Sequence, residues 1–289
     1  MEYLMTYGWA ILIIAVVLGA LFQLGVFNSS SFSPRAPPGA CQVFRPSGPG
    51  TTTNINLMGV CTGQLPQYAT QFNGQTSYAY APYSASLAVT GQFSVSYWFS
   101  SALPSTTSFD GALISTRYPT AMTFDERLVG NNFNGYGIGL HGNIGSGTGY
   151  LSFAVNYNAW NFNVNQWYNV VNVFTTTGCS IFLDGVNVST CSYSGTPSLL
   201  DSNSNFYIGS QGGSSVFFKG FISNVQVYNT SLTANQVQAL YLRGMGGAPM
   251  KLQNIVGWWP LNGNTNDYGG NNNNAVPYNG VTFTSQYGK

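Results

Sequence analysis

The sequence predicts a mainly β protein, in which a large β-sandwich head is carried by one long hydrophobic α-helix at the N-terminus. Three observations lead to this prediction. Residues 1–27 are almost entirely apolar, the chain after Cys41 consists of short strand-like segments between Gly, Asn and Ser clusters, and charged residues make up only 5% of the chain. At 289 residues the chain is long enough to bury a large core.

The N-terminal segment has the length of a membrane span. From Trp9 onward it is apolar except for Gln23, and about 18 such residues suffice to cross a bilayer. It does not resemble a standard secretory signal peptide, because no Lys or Arg precedes the apolar stretch. Residues 28–40 are rich in Ser and Pro and are predicted to form an extended linker. The predicted organisation is therefore a helix (1–27), a linker (28–40) and a head (41–289).

A carboxylate lies at the tip of this helix. A helix N-terminus favours an acid such as Glu2, whereas an apolar setting demands a partner for it. The stretch MEYLMTYGWAILIIAVVLGAL resembles the mature N-terminal helix of archaeal type IV pilin-like proteins. The resemblance implies that Glu2 neutralises the N-terminal amine of a neighbouring subunit and that the helices, with Trp9 among the assembly residues, bundle into a filament core. A simple membrane anchor is the alternative.

The four cysteines predict two disulfides. Cys179 and Cys191 flank CSIFLDGVNVSTC, whose Asp-Gly centre is a strong hairpin signal and places the two sulfurs opposite each other on neighbouring strands. Cys41 and Cys61 then pair by elimination. With one histidine and no C-x-x-C pair, a zinc site has too few ligands. Disulfides indicate an oxidising compartment, so we expect an extracellular head.

Strands are predicted where apolar residues alternate or cluster. In QFSVSYWFS, for example, Phe93 and every second residue after it share one face. The predicted strands are Gln92–Ser100, Leu151–Tyr157, Tyr168–Phe174, Ser180–Leu183, Val186–Ser189, Phe206–Gly209 and Phe221–Tyr228. One helix is predicted among them, since Thr233 and Gln236 form a capping box before an apolar stripe that ends at Gly244.

Three segments carry a second resemblance. In chain order they are Gln71–Ser100, Trp167–Thr190 and Asn205–Tyr241. They are similar to the opening strands, the central hairpin and the closing strand with its short helix in laminin G-like, concanavalin A-like jelly rolls of microbial surface proteins. The resemblance implies a jelly-roll fold with surface glycans as partners.

The C-terminal segment VGWWPLNGNTNDYGGNNNNAVPYNGVTF resembles the first strand and following loop of that family, which normally precede the domain. It could begin a truncated repeat, pair within its own head as a circularly permuted strand, or complete the head of a neighbouring subunit. A segment of this length cannot bury a core alone. We expect that residues 252–289 supply a permuted strand to their own head.

Candidate binding residues lie in loop-like segments rich in Tyr, Trp and Asn. The predicted glycan-binding residues, chosen as stacking faces, are Tyr118, Tyr136, Tyr157 and Trp160. The predicted calcium ligands, similar to an Asp/Asn-rich loop of the resembled family, are Asp267, Asn271 and Asn273. The predicted glycosylation sites, each in an N-x-S/T sequence, are Asn28, Asn187 and Asn229. No other cofactor is expected.

The charge pattern excludes other classes of function. The net charge is +1 without a basic block, so no nucleic-acid partner is expected. A surface with few carboxylates to protonate is expected to tolerate acid.

Glycoside hydrolases use paired carboxylates, but Glu2 belongs to the helix and the consecutive Asp125 and Glu126 would point to opposite faces of a strand. His141 is interpreted as an exposed loop residue. We therefore expect a non-enzymatic surface protein: either a pilus-like filament subunit, membrane-inserted before assembly, with an adhesive head, or a membrane-anchored lectin that does not polymerise.

Overall fold

The computed structural model describes residues 11–18, 42–48, 51–56 and 66–285, except for 118–122, 132, 136, 159 and 202–203. Residues 11–18 form helix α1, whose apolar side chains are exposed. No helix in these described ranges has the length and hydropathy needed to cross a membrane. The rest of the predicted N-terminal helix, with Glu2 and Trp9, and the predicted linker lie outside the described residues. Strands β1 (Gln42–Gly48) and β2 (Thr51–Asn56) pair in a two-stranded sheet of their own.

Among the described residues, the head contains antiparallel strands and one α-helix. In chain order these are β3 (Ala69–Asn73), β4 (Tyr78–Ala81), β5 (Phe93–Ser101), β6 (Phe109–Ser115), β7 (Asp125–Gly130), β8 (Gly139–Gly145), β9 (Tyr150–Asn158), β10 (Trp167–Phe174), β11 (Gly178–Leu183), β12 (Val186–Ser192), β13 (Phe206–Ile208), β14 (Lys219–Tyr228), α2 (Ala234–Leu242), β15 (Ile255–Trp259), β16 (Val276–Tyr278) and β17 (Thr282–Thr284). Short 3₁₀ turns occur at Phe133–Gly135 and Leu252–Asn254.

These strands form two sheets that pack face to face. Sheet I has the order β12-β11-β10-β5-β14-β3-β17, and β15 also pairs with β14. Sheet II has the order β16-β4-β13-β6-β7-β8-β9. Apolar side chains from the inner faces of both sheets form one large core cluster. The predicted β-sandwich is therefore confirmed.

Strand β5 shows why the core lies where it does. Its alternating apolar residues, Phe93 to Phe99, all belong to the core cluster, as the sequence pattern predicted. The opposite face of β5 is buried as well, because the Trp98 indole stacks on the Tyr241 ring of α2 at 5.9 Å between centroids. The Ser94 hydroxyl also donates to Thr230 O at 2.9 Å, which ties the segment before α2 to the strand.

Helix α2 covers the outer face of sheet I. The predicted capping box is present: Thr233 Oγ1 accepts the Gln236 N–H, and the Gln236 side chain accepts the Thr233 N–H. The buried stripe of the helix, Val237 and Leu240, packs in a cluster with apolar residues of β10, β11 and β14. The central strands β10, β5 and β14 of sheet I are therefore mostly buried on both faces.

The C-terminal segment adds strands to both sheets of its own chain. Strands β15 and β17 pair with β14 and β3 of sheet I, and β16 pairs with β4 of sheet II. Trp259 is fully buried, stacks on Phe206 at 5.0 Å and donates its Nε1–H to Asn273 O at 2.7 Å. The segment thus forms one edge of each sheet, with β17 beside β3 and β16 beside β4.

The hairpin β11–β12 carries a disulfide. Cys179 and Cys191 are direct partners in the strand register, and their sulfurs are bonded. The Asp-Gly turn predicted from the sequence connects the two strands, with Asp184 and Gly185 both at positive φ. Cys41 and Cys61 lie outside the described residues.

Candidate functional site

The outer face of sheet II is defined by one row of paired residues. Tyr80 pairs with Tyr207, which pairs in turn with Ser115. Ser115 pairs with Asp125, and Asp125 pairs with Asn143. Directly paired residues point to the same side of a sheet, and the residues that flank Tyr207 in β13 belong to the core. The row therefore points away from the core, across β4, β13, β6, β7 and β8.

One end of this face is aromatic. We call it the tyrosine platform, and its members are Tyr78, Tyr80, Tyr207, Phe217 and Tyr278. The closest rings are Tyr78 and Tyr278, at 4.9 Å between centroids, and Tyr207 lies 6.0 Å from both Tyr78 and Tyr80. Burial raises the pKa of Tyr78, and the nearby Tyr278, Tyr207 and Tyr80 raise it further, so its phenol stays neutral at physiological pH. Tyr278 is 47% exposed. The platform thus offers aromatic ring surface and a phenol hydroxyl to solvent at Tyr278.

The alternation of tyrosine and alanine in β4 is a sequence pattern that points to the platform. In SYAYA the tyrosines alternate with Ala79 and Ala81, which lie in the core. Small residues point inward and large aromatic residues point outward, which is the reverse of the usual pattern of a half-buried strand. The i, i+2 spacing of Tyr78 and Tyr80 could therefore have indicated an aromatic outer face.

A tight turn at residues 211–215 lies against the platform. Gly213 has φ +71°, and a Cβ atom there would lie 2.7 Å from Tyr78 Cζ. The turn therefore requires glycine for its conformation and for its contact with the ring. At the start of the turn, Gln211 Nε2 donates to Asp125 Oδ2 at 3.4 Å. The turn thus connects the platform to the polar half of the face.

The other half of the face carries a group that we call the acid–arginine cluster, formed by Asp110, Asp125 and Arg127. Arg127 Nη1 contacts Asp110 Oδ2 at 2.8 Å, and Arg127 Nε contacts Asp125 Oδ2 at 3.3 Å. Burial raises the pKa of both aspartates, although Arg127 lowers it. Nearby, the Arg117 guanidinium lies 5.4 Å from the Tyr150 ring centroid. A chain with few charges therefore concentrates several of them beside β6 and β7.

The next carboxylate points the other way. Glu126 accepts hydrogen bonds from the Tyr97 hydroxyl and the Asn172 amide of sheet I, so it lies between the sheets. Burial raises its pKa to about 7, although these two hydrogen bonds lower it. Asp125 and Glu126 thus occupy opposite faces, as predicted, and their exposed fractions are 0% and 1%.

Residues 73–238 match the family model of the concanavalin A-like lectin/glucanases superfamily, which is more than half of the chain. The chain belongs to this superfamily. The laminin G-like, concanavalin A-like resemblance of the head is therefore confirmed. The pilin-like resemblance falls mostly outside the described residues, of which only 11–18 belong to it, and stays a prediction.

Several solved structures are similar to this chain at low sequence identity. A Bacteroides ovatus protein proposed to bind carbohydrate matches with a TM-score of 0.56 at 15% identity, over 81% of this chain and 66% of that one. Domain 4 of an extracellular arabinanase from Geobacillus stearothermophilus, in complex with arabinotriose, matches with a TM-score of 0.46 at 20% identity, over 59% and 75%. A pentraxin from Limulus polyphemus matches with a TM-score of 0.47 at 14% identity, over 75% and 94%. No curated protein is similar in sequence.

In the concanavalin A-like head two of the four sequence-predicted glycan-binding residues are described, and neither belongs to the tyrosine platform. Tyr157 belongs to strand β9 rather than to the expected loop, and its ring lies 6.0 Å from that of Trp160. Trp160 also contacts the rings of Phe99, Phe162 and Tyr168. Both residues are half-buried at the edge of the core. The other two candidates, Tyr118 and Tyr136, lie outside the described residues.

The prediction that His141 is an exposed loop residue is wrong. His141 is 3% exposed and lies in β8, paired with Arg127 of β7, rather than in an exposed loop. Its Nε2 lies 2.5 Å from Gly137 O. The glycines of GLHGNIG favour a loop when only the sequence is considered. Gly139, however, approaches the neighbouring strand so closely that a Cβ atom there would lie 2.0 Å from Tyr157 O.

In the predicted calcium loop, the carboxylate of Asp267 accepts hydrogen bonds from backbone N–H groups. Asp267 Oδ1 accepts the N–H groups of Trp258 and Gly269 at 2.9 and 2.7 Å, and Oδ2 accepts that of Asn273 at 2.9 Å. Asn273 is 4% exposed, and Asn271 donates to Ile255 O at 3.3 Å. No group of three or more His, Cys, Asp or Glu residues suited to a metal occurs in the described residues. Calcium would have to compete with these donors, and its binding here stays a prediction.

The predicted glycosylation sites differ in what the structure describes of them. Asn187 in β12 and Asn229 after β14 are both exposed. Asn229 Oδ1 accepts a hydrogen bond from Asn254 Nδ2 at 2.9 Å. Asn28 lies outside the described residues. Glycosylation of these positions stays a prediction.

Proposed function

We propose that the concanavalin A-like head binds glycans on the outer face of sheet II, with the tyrosine platform as the stacking surface. The observation that carries this proposal is the platform itself, in which five aromatic rings from four segments form one network of ring contacts on one face. Aromatic rings stack on the apolar faces of sugar rings, and phenol hydroxyls hydrogen-bond to sugar hydroxyls. The Bacteroides ovatus protein of similar fold, itself proposed to bind carbohydrate, is consistent with this role.

The platform suits an oligosaccharide better than a single sugar. Four of its five rings come from three neighbouring strands, β16, β4 and β13. Neighbouring strands lie about 4.8 Å apart, so the platform extends about 10 Å across the sheet. Beyond Tyr207, the row continues into Ser115 and Asp125, which are fully buried, so the proposed contact surface ends at the platform.

We propose a binding protein rather than a hydrolase. Glycoside hydrolases place two carboxyl groups beside the bond that breaks. Here Glu126 lies between the sheets, and Asp110 and Asp125 are held by Arg127. This arrangement supports a head that retains its ligand unchanged.

We further propose that the head is displayed outside the cell on a pilus-like filament that polymerises through residues 1–27. The apolar composition of this segment, with Glu2 at its tip, supports polymerisation, and the Cys179–Cys191 disulfide supports an oxidising compartment. A membrane-anchored lectin that never polymerises is the alternative. Negative-stain microscopy of sheared cell-surface material distinguishes them, because recovery of the protein only in detergent-extracted membranes contradicts the filament.

The glycan-binding proposal is tested with a glycan array followed by calorimetry on the best ligand. Tyr278→Ala removes the most exposed ring of the platform and should weaken binding by about 2- to 10-fold, the usual worth of one aromatic contact. Tyr83→Ala is the matched control, because Tyr83 is also exposed but makes no ring contact with the platform in the described structure. The proposal fails if no array glycan binds, or if both variants weaken binding equally.

A further inference from the structure

A cavity of about 320 Å³ opens on the other side of the head, where β15 meets the segment after α2. Its apolar lining includes Trp258, Met245 and Pro260, and its polar lining consists of the amides Gln67, Asn224 and Asn262. No charged side chain of the described residues lines it. Its volume is at the lower end of the range for small-molecule sites, which is roughly 300–1,000 Å³.

The orientation of Trp258 is fixed by a buried amide. Trp258 Nε1 donates to Asn224 Oδ1 at 2.8 Å, and Asn224 Nδ2 donates to Gly247 O at 2.9 Å. Gln226 Nε2 also donates to Asn224 Oδ1 at 2.9 Å. Asn224 is 4% exposed, so this network is rigid. Because the indole N–H is already bound to Asn224, Trp258 offers the cavity its apolar ring.

The backbone around the cavity adopts uncommon conformations. Asn224 has φ 50° inside β14, where the register with β5 shifts between Ser223 and Gln226. Leu261, just after β15, has φ 57° although it is bulky and buried. Residues other than glycine with positive φ are uncommon and concentrate at functional positions. The Asn224 N–H donates to Pro260 O at 3.1 Å, which joins the two segments beside the cavity.

Two exposed amides offer hydrogen bonds to a ligand. Asn262 Oδ1 accepts the Tyr68 N–H at 2.8 Å, which leaves the Asn262 NH₂ group as a donor. Gln67 Nε2 donates to the Tyr68 hydroxyl at 3.3 Å, which leaves Gln67 Oε1 as an acceptor. Neither remaining group has a further partner within the described residues.

From this lining we infer that the cavity binds a single neutral hexopyranose, as a second carbohydrate site separate from the tyrosine platform. A hexopyranose has an apolar C–H face for the Trp258 ring and hydroxyl groups for the Asn262 donor and the Gln67 acceptor. A phosphorylated or carboxylated ligand would meet no cation here. The inference rests on the cavity alone and does not depend on binding at the platform.

The test uses the full chain with the methyl glycosides of glucose, galactose, mannose and N-acetylglucosamine, by saturation-transfer NMR and tryptophan fluorescence. We expect at least one to bind with a Kd of about 1 mM, the order of affinity for so small a ligand. Trp258→Ala should weaken binding by about 10-fold or more, whereas Trp258→Phe, which keeps a ring, should retain most of it. Tyr278→Ala on the platform should leave binding unchanged.

Asn262→Ala provides a second variant if Trp258→Ala does not fold, because Asn262 is exposed at the mouth of the cavity. It should weaken binding by about 3- to 10-fold, as expected for one lost hydrogen bond. The inference is overturned if none of the four glycosides binds, or if binding survives both Trp258→Ala and Asn262→Ala. Loss of binding in Tyr278→Ala would also overturn it, and would assign the sugar to the platform instead.

Discussion

The carboxyl group of Glu126 lies in the core, where the Tyr97 hydroxyl and the Asn172 amide donate to it. Burial raises its pKa from 4.5 to about 7. The folded chain therefore holds this proton more tightly than the unfolded chain does. The corresponding stability is fully present below about pH 4.5 and is lost as the pH rises to about 7. With about 1.4 kcal/mol for each pKa unit, the loss is on the order of 3 kcal/mol, a large part of the stability of a typical domain.

Glu126→Gln isolates this effect, because the amide has nearly the same shape and does not ionise. Its Oε1 can still accept from Tyr97 and Asn172, while its NH₂ group replaces a carboxyl oxygen that has no hydrogen-bond partner among the described residues. Near pH 4.5 the variant should be as stable as the wild type or less stable by about 1–3 kcal/mol, the cost of one buried unpaired group. By pH 8 its stability relative to the wild type should have risen by about 3 kcal/mol.

The assay is urea unfolding of both proteins at a series of pH values between 4 and 8. Burial also raises the pKa of Asp110 and Asp125, so both proteins should lose some stability with rising pH, and this shared part cancels in their difference. If the stabilities of the two proteins run parallel from pH 4 to pH 8, the reasoning about Glu126 is refuted. The prediction also extends the acid tolerance expected from the composition, because these three carboxyl groups favour the folded state in acid.

Two further predictions concern glycine and the Asp267 loop. Gly213→Ala should destabilise the head by about 1–3 kcal/mol and weaken glycan binding, because the new Cβ meets the Tyr78 ring. Gly91→Ala is its control in thermal melts and calorimetry, since Gly91 also has positive φ but has no atom within 4 Å of the new Cβ; equal effects would contradict the steric argument. Asp267→Ala should lower stability in urea by about 2–3 kcal/mol, because three backbone N–H groups lose their charged acceptor, whereas a change within 0.5 kcal/mol would contradict this role. A wild-type melting temperature that is equal in calcium and in chelator would count against the predicted calcium site.

Local patterns were sufficient for the parts of the fold that are organised locally. The alternation in β5 predicted its core face, the Thr233 capping box predicted the start of α2, and the Asp-Gly turn predicted the hairpin that carries the disulfide. Each of these signals lies within about ten residues of sequence and depends on backbone geometry that short segments determine. The family resemblance then placed these elements in one sandwich.

Strands β7 and β8 were not predicted, because their stability comes from distant partners. Asp125, Glu126 and Arg127 give β7 a polar sequence that does not alternate, and each of these side chains has a hydrogen-bond or ion-pair partner elsewhere in the fold. In β8, glycines and His141 occupy a buried strand because the neighbouring strands approach closely. Propensity scales describe such segments as loops.

The residues of the candidate sites are even harder to predict from the sequence, because they come from segments that are distant in the chain. Tyr78 and Tyr278 lie 4.9 Å apart in space although 200 positions separate them in the sequence. Only the antiparallel register of β4 and β16 brings them together. The same C-terminal segment supplies Trp258, which lines the cavity on the other side of the head. The C-terminal segment therefore completes both sheets and also contributes a principal aromatic residue to each proposed carbohydrate site. Both proposed sites consequently require that this segment pairs with the head.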